Sequence, residues 1–171
     1  MITEDKVKTA ISRIEKAYEN FGTSLFCGHS GGKDSVVIFD LAQKVYPKIT
    51  VIHNSKSNTH PDTVKFLYGV SEKHNVLFVP PSNMERAIKT YGLRCQIDGT
   101  RIAECSRTDG RSTDFVVDNK NVSREVMTEF VENGLYGMGM LYPIYDWTDE
   151  EVWEYISVNN LSISNEYSLG A

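Results

Sequence analysis

The sequence predicts an α/β fold, a parallel sheet with helices packed on its faces. Two observations carry this. Short apolar runs, several of them β-branched, alternate three times with longer stretches in which apolar residues recur at three- and four-residue spacing. A glycine turn joins the first of those runs to a helix start, and ligands of parallel sheets bind beyond the carboxyl ends of the strands.

Taken in order, residues 4–20 read as an amphipathic helix. Val7, Ala10, Ile11, Ile14, Ala17 and Tyr18 share one face, Thr3 is placed to cap the start and Gly22 to close the end. Residues 24–28 form the first strand. A helix runs from Asp34 to Tyr46, where Pro47 stops it. Ile49-Thr50-Val51-Ile52-His53 is a second strand. Pro61 suits a first helical turn and opens a helix to about His74. Val76-Leu77-Phe78-Val79 is a third strand, ended by Pro80-Pro81-Ser82. Ser82 is expected to cap a helix from Asn83 to about Tyr91.

Residues 92–121, rich in Gly, Asp, Ser, Thr and Arg, break the alternation. They are expected to form a long functional loop with one short strand, Phe115-Val116-Val117. A helix from about Ser123 to Glu132 follows, then turns at Asn133-Gly134 and Gly137-Met138-Gly139. Leu141 to Trp153 reads as a strand, a cap and a core-packing helix. There Thr148 and Glu151 have capping-box spacing, and Val152, Trp153 and Ile156 form the apolar face. No repeat or linker interrupts the chain, and residues 1–171 are expected to form a single domain with a sizeable core.

Hydrophobic residues make up 40% and charged residues 24%, ordinary globular values. A formal net charge of −5 argues against a protein that coats nucleic acid by bulk electrostatics. A local basic pocket remains open to it, because Arg94, Arg101, Arg107, Arg111 and Arg124 gather in one stretch. No apolar run is long enough to cross a membrane and no secretory leader is evident, so the expectation is a cytoplasmic protein. Cys27, Cys95 and Cys105 form no CxxC pair, and three thiols do not supply a four-thiolate cluster.

The chemistry concentrates in Ser30-Gly31-Gly32-Lys33-Asp34-Ser35. Adjacent glycines let the backbone turn tightly and approach a ligand. The amides of the turn and of the first helical turn converge on one place, with the helix dipole behind them. Ser30 and Ser35 add hydroxyls and Lys33 a positive charge, which makes the segment a phosphate cradle. It is not a Walker A loop: position 27 is Cys where that pattern needs Gly, and Asp34 follows the lysine.

The six residues resemble the PP-loop of the N-type ATP pyrophosphatases, or adenine nucleotide α-hydrolases. The resemblance implies a Rossmann-like (HUP-type) parallel sheet between helices and a loop that holds the phosphates of ATP. Gly99-Thr100-Arg101-Ile102-Ala103-Glu104-Cys105-Ser106-Arg107 is similar to the arginine-bearing stretch of the phosphoadenylyl-sulfate (PAPS) reductase family, with Cys105 where that family has Ser. Leu141 to Trp153 resembles a third stretch of the same family. Together these imply that Ser30, Gly31, Gly32, Lys33, Asp34, Ser35, Asn54, Gly99, Arg101 and Arg107 bind the nucleotide, and that Lys33, Arg101 and Arg107 act in catalysis. The ligand is ATP or PAPS, with Mg²⁺ bridging its phosphates.

Departures bear on the reaction. Asn54-Ser55 stand where the family has Asp-Thr-Gly, and no cysteine follows Cys105 to serve as the tail nucleophile of a reductase. The expectation is therefore adenylyl transfer to an unidentified acceptor with release of pyrophosphate, and no iron–sulfur cluster. Two alternatives stand beside it: a PAPS or adenylyl-sulfate reductase using a thiol outside the tail, or a non-catalytic nucleotide-binding or regulatory subunit. Homodimerisation and a partner subunit are both left open. Cys27 and Cys105 lie beside the phosphate-binding segments, and a thiolate near Lys33 or Arg101 would have a lowered pKa; a plain core role is the other reading of Cys27. His29, just ahead of the cradle, either contacts phosphate or is structural.

Overall fold

The computed structural model describes residues 1–101, 103 and 138–169. The sequence expectations for Cys105, Arg107, the Phe115–Val117 strand and the Ser123–Glu132 helix lie outside the described residues.

Helix α1 (Glu4–Phe21) starts as its sequence predicts, with the Thr3 hydroxyl accepting the Lys6 amide. It ends at Gly22, whose φ of 56° is closed to most residues. Strand β1 (Leu25–Gly28) leads through the glycine loop into α2 (Lys33–Val45). Strand β2 (Thr50–Asn54), helix α3 (Pro61–Ser71) and strand β3 (Val76–Val79) follow. Helix α3 stops one turn short of His74; Glu72, Lys73 and His74 close it with turn hydrogen bonds to Gly69 and Val70. Ser82 does not cap the next helix. Residues Pro81–Asn83 form a 3-10 turn, and α4 spans Met84–Thr90 without a side-chain cap.

Two short strands complete the sheet. Strand β4 (Cys95–Ile97) lies inside the stretch expected to be loop, and β5 (Gly139–Leu141) includes a residue expected in a turn. Helix α5 (Asp149–Val158) begins with the Thr148/Glu151 capping box formed in both directions. A 3-10 turn, Asn165–Leu169, ends the described chain.

All five strands are parallel, in the order β3-β2-β1-β4-β5. The two-residue period of the strands divides the core. Leu25 and Cys27 of β1, Val51 of β2, and Cys95 and Ile97 of β4 join Ile14, Ile38, Leu41 and Trp147 in one cluster beneath α1, α2 and α5. Phe26 and Ile52 point the other way, into a smaller cluster with Met84, Ile88 and Leu93 around α4. Each such side chain, fully buried, contributes about 1.5–3 kcal/mol. The loop after β1 thus starts from a strand buried on both faces. No described helix is long and apolar enough to cross a membrane.

Candidate functional site

The strand order runs outward in one direction from β1 to β3 and in the other from β4 to β5. The crevice therefore opens between β1 and β4, at their carboxyl ends. A cavity of about 400 Å³ lies there, within the range of small-molecule sites. Ser30, Asp34 and Ser35 of the loop line one side, Asn54 the end of β2, and Gln96, Asp98 and Gly99 the segment after β4. Gly31, Gly32, Lys33 and Arg101, also predicted to bind, do not line it.

Close approach of neighbouring segments bears on two of the glycines. Gly31 has φ +86°, and a Cβ there would stand 2.2 Å from Thr63 Cγ2. A Cβ on Gly99 would meet the Asp34 backbone at 3.2 Å, so a larger residue there would have to push the segment after β4 away from the start of α2 by a few tenths of an ångström.

Four consecutive loop amides, Ser30 to Lys33, are engaged. Ser30 N–H donates to Ser35 Oγ at 3.1 Å, Gly31 N–H to His29 Nδ1 at 3.0 Å, and Gly32 N–H to Ser30 Oγ at 3.2 Å. Lys33 N–H donates to the hydroxyl of Tyr167 at 2.6 Å. Beyond these, the first-turn amides of Asp34 and Ser35 face out of the helix, as at any helix start.

The charges form a cluster beside the loop. Lys33 Nζ lies 3.2 Å from both Asp34 Oδ2 and Asp149 Oδ1. Arg101, 1% exposed, donates from Nε to Asp34 Oδ1 at 2.7 Å, from one terminal nitrogen to Asp149 Oδ1 at 2.9 Å, and from the other to the Trp147 carbonyl at 3.3 Å. Partial burial alone would raise the pKa of Asp149, but the hydrogen bonds and charges of Lys33 and Arg101 outweigh it and hold the carboxyl below its ordinary range. Two cations and two carboxylates thus tie α2, the segment after β4 and α5 together.

The family described as phosphoadenosine phosphosulfate reductase domain matches residues 24–91 and 81–170. The chain belongs to this PAPS reductase domain family. An adenosine 5'-phosphosulfate reductase of Halalkalibacterium halodurans is 25% identical over 168 residues, covering 90% of this chain and 73% of that protein. Among solved structures, Candida glabrata FMN adenylyltransferase matches with a TM-score of 0.71 at 13% identity, over 96% of this chain and 58% of that one. PAPS reductase from Candida auris, solved as a phosphate complex, matches with a TM-score of 0.67 at 14% identity, over 99% of this chain and 93% of that one. The likeness to these two structures is one of fold, the HUP-type sheet of the adenine nucleotide α-hydrolases.

Within this PAPS reductase domain the remaining predicted residues fall as follows. Asn54 sits at the end of β2, and its Oδ1 is buried without a partner among the described residues. His29 lines the cavity yet is buried, accepts the Gly31 amide on Nδ1, and has its pKa pushed down to about 3 by burial, then by His53. Cys27 is a core residue whose thiol pKa is raised by burial, and burial raises Cys95 to about 12.

Sequence reasoning missed Asp149 and Tyr167. Asp149 stood in a stretch read as a helix cap, where an acidic first turn needs no other explanation. Tyr167 carried no motif at all.

Proposed function

We propose that this PAPS reductase domain binds an adenine nucleotide across the β1–β4 crevice and transfers its adenylyl group to an acceptor. The observation that carries the reading is the coincidence of three features. The cavity opens at the switch point of the sheet, Ser30, Asp34 and Ser35 beside the glycines form one wall, and Asn54 Oδ1, a buried acceptor without a partner among the described residues, stands at the end of β2. A triphosphate laid on the loop meets first-turn amides and the positive end of α2. Its base and ribose then extend along the crevice toward Asn54, whose oxygen accepts a hydrogen bond from an amino or hydroxyl group.

In the reaction an acceptor oxygen attacks the α-phosphorus, the bond to the β-phosphate oxygen breaks, and pyrophosphate leaves. The first-turn amides of α2 and Lys33 stabilise the charge that develops on the leaving pyrophosphate. Mg²⁺ would come as part of the MgATP substrate and would supply charge neutralisation at its phosphates. Thiol chemistry is served less well by the described residues. Cys27 and Cys95 are sealed in the core, and burial keeps both protonated.

Calorimetry with MgATP, paired with an assay for pyrophosphate release, tests the reading. Lys33→Ala should weaken binding by about 1.5–3 kcal/mol, the range for a hydrogen bond to a charged group. Equal affinity in wild type and Lys33→Ala would remove the phosphates from the loop. Binding without pyrophosphate release across a panel of acceptors would leave a binding module rather than a transferase.

A further inference from the structure

We propose that Tyr167 is an internal ligand of the phosphate cradle, its hydroxyl holding the place of a phosphate oxygen until a nucleotide displaces it. This rests on reading the glycine loop as the phosphate site.

Three of the four engaged loop amides find acceptors within five residues: His29, Ser30 and Ser35. The fourth, Lys33 N–H, is taken by a residue 134 positions away. Lys33 is the first residue of α2, so its amide projects from the helix N-terminus, where an anion binds best. A hydroxyl oxygen at 2.6 Å leaves no room for a second oxygen on the same hydrogen.

The ring also fills space. The Tyr167 hydroxyl stands 3.2 Å from where a Cβ on Gly32 would lie. The crevice is walled by Ser30, Asp34 and Ser35 but not by Gly32 or Lys33, the two residues against which the Tyr167 hydroxyl stands. The ring is held from behind: Trp153 of α5 meets it edge-on at 5.3 Å, and the Asn165–Leu169 turn that carries it packs on α3. The Lys33 ammonium is likewise engaged, with Asp34 and Asp149. In the ligand-free cradle the Ser30–Lys33 amides and the Lys33 ammonium are therefore engaged, and the first-turn amides of Asp34 and Ser35 are the ones left facing outward. A phosphate that seeks the Lys33 amide must lift Tyr167 away, and the Asn165–Leu169 turn acts as a strap over the loop.

Tyr167→Phe tests this, because it keeps the ring and its contact with Trp153 while removing the oxygen. In the ligand-free variant, amide hydrogen exchange at Lys33 should quicken while the β2 amides stay as protected as in wild type. Titration with MgATP and with inorganic pyrophosphate should show binding about two- to tenfold tighter in the variant, the factor set by one competing hydrogen bond. In the wild type, saturation with pyrophosphate should shift the Trp153 indole N–H resonance as the Tyr167 ring departs. Weaker binding by Tyr167→Phe would overturn the proposal and make the hydroxyl a ligand contact. Equal affinity would overturn it too while leaving the phosphate site standing, and no binding of either probe by either protein would overturn both readings.

Discussion

The Nε of Arg101 donates to Oδ1 of Asp34 at 2.7 Å, across 67 residues of sequence and from a side chain that is 1% exposed. The guanidinium also holds Asp149 and the Trp147 carbonyl. In the ligand-free state its geometry is that of a pin joining the segment after β4 to the starts of α2 and α5. Through Asp34 and Asp149, which it shares with Lys33, it positions the cradle's lysine.

That geometry predicts a stability effect. Arg101→Met removes the guanidinium from Asp34 and Asp149 and leaves them Lys33 alone among the described residues, which should cost about 3 kcal/mol, the lower end for a broken buried pair because Lys33 still pairs with both and Asp149 is half-exposed. Arg101→Lys keeps the charge, but one ammonium cannot span two carboxylates and a carbonyl, so it should recover only part of the loss. Urea denaturation of the three proteins measures both. If Arg101→Lys unfolds at the wild-type midpoint yet binds MgATP more weakly, Arg101 is a ligand contact rather than a pin.

Gly31 gives a second prediction, separable into two parts. Its φ of +86° penalises any side chain, and a Cβ would overlap Thr63 Cγ2. Gly31→Ala should lose about 2–4 kcal/mol from backbone strain and overpacking combined. Adding Thr63→Ser removes the methyl group and should restore the overpacking part alone. A double variant no more stable than Gly31→Ala would show that the overlap with Thr63 is not a source of the cost.

The alternation of strands with helices, the glycine loop and the capping box of α5 were legible because each rests on local rules: period, turn chemistry and a four-residue cap. Strand β4 was not. It has three residues, its two inward side chains Cys95 and Ile97 flank a polar Gln96, and its strand character comes from pairing with β1 and β5 on either side. The residues of the loop were likewise legible, but their partners were not. Asp34 and Arg101 both looked like ligand groups in the sequence, whereas in the fold they meet each other, because the close approach at Gly99 lays the segment after β4 against α2. Long-range charge pairing of this kind leaves no spacing to read.

The last prediction concerns His29 and acid. The ring is buried between Phe39 and Phe66, its Nδ1 accepts the Gly31 amide at 3.0 Å, and its folded pKa lies near 3 against an ordinary value of about 6.5. A protonated ring would lose that acceptor and break the loop's own hydrogen bond. The unfolded chain binds this proton below about pH 6.5 and the folded chain does not, so the contribution of His29 is complete above pH 6.5 and declines as pH falls toward 3. The slope in that window is about 1.4 kcal/mol per pH unit for one proton. Between pH 6.5 and 5 the effect lies above the range in which Asp149 and Glu151 titrate. His29→Asn keeps an acceptor oxygen near the position of Nδ1 and cannot be protonated. It should lower stability at neutral pH through lost ring packing, yet flatten the decline by one proton's worth. Denaturant midpoints measured at half-unit steps from pH 7 to 5 compare the two slopes. Parallel profiles for wild type and His29→Asn would mean that the imidazole does not stay neutral as the loop requires.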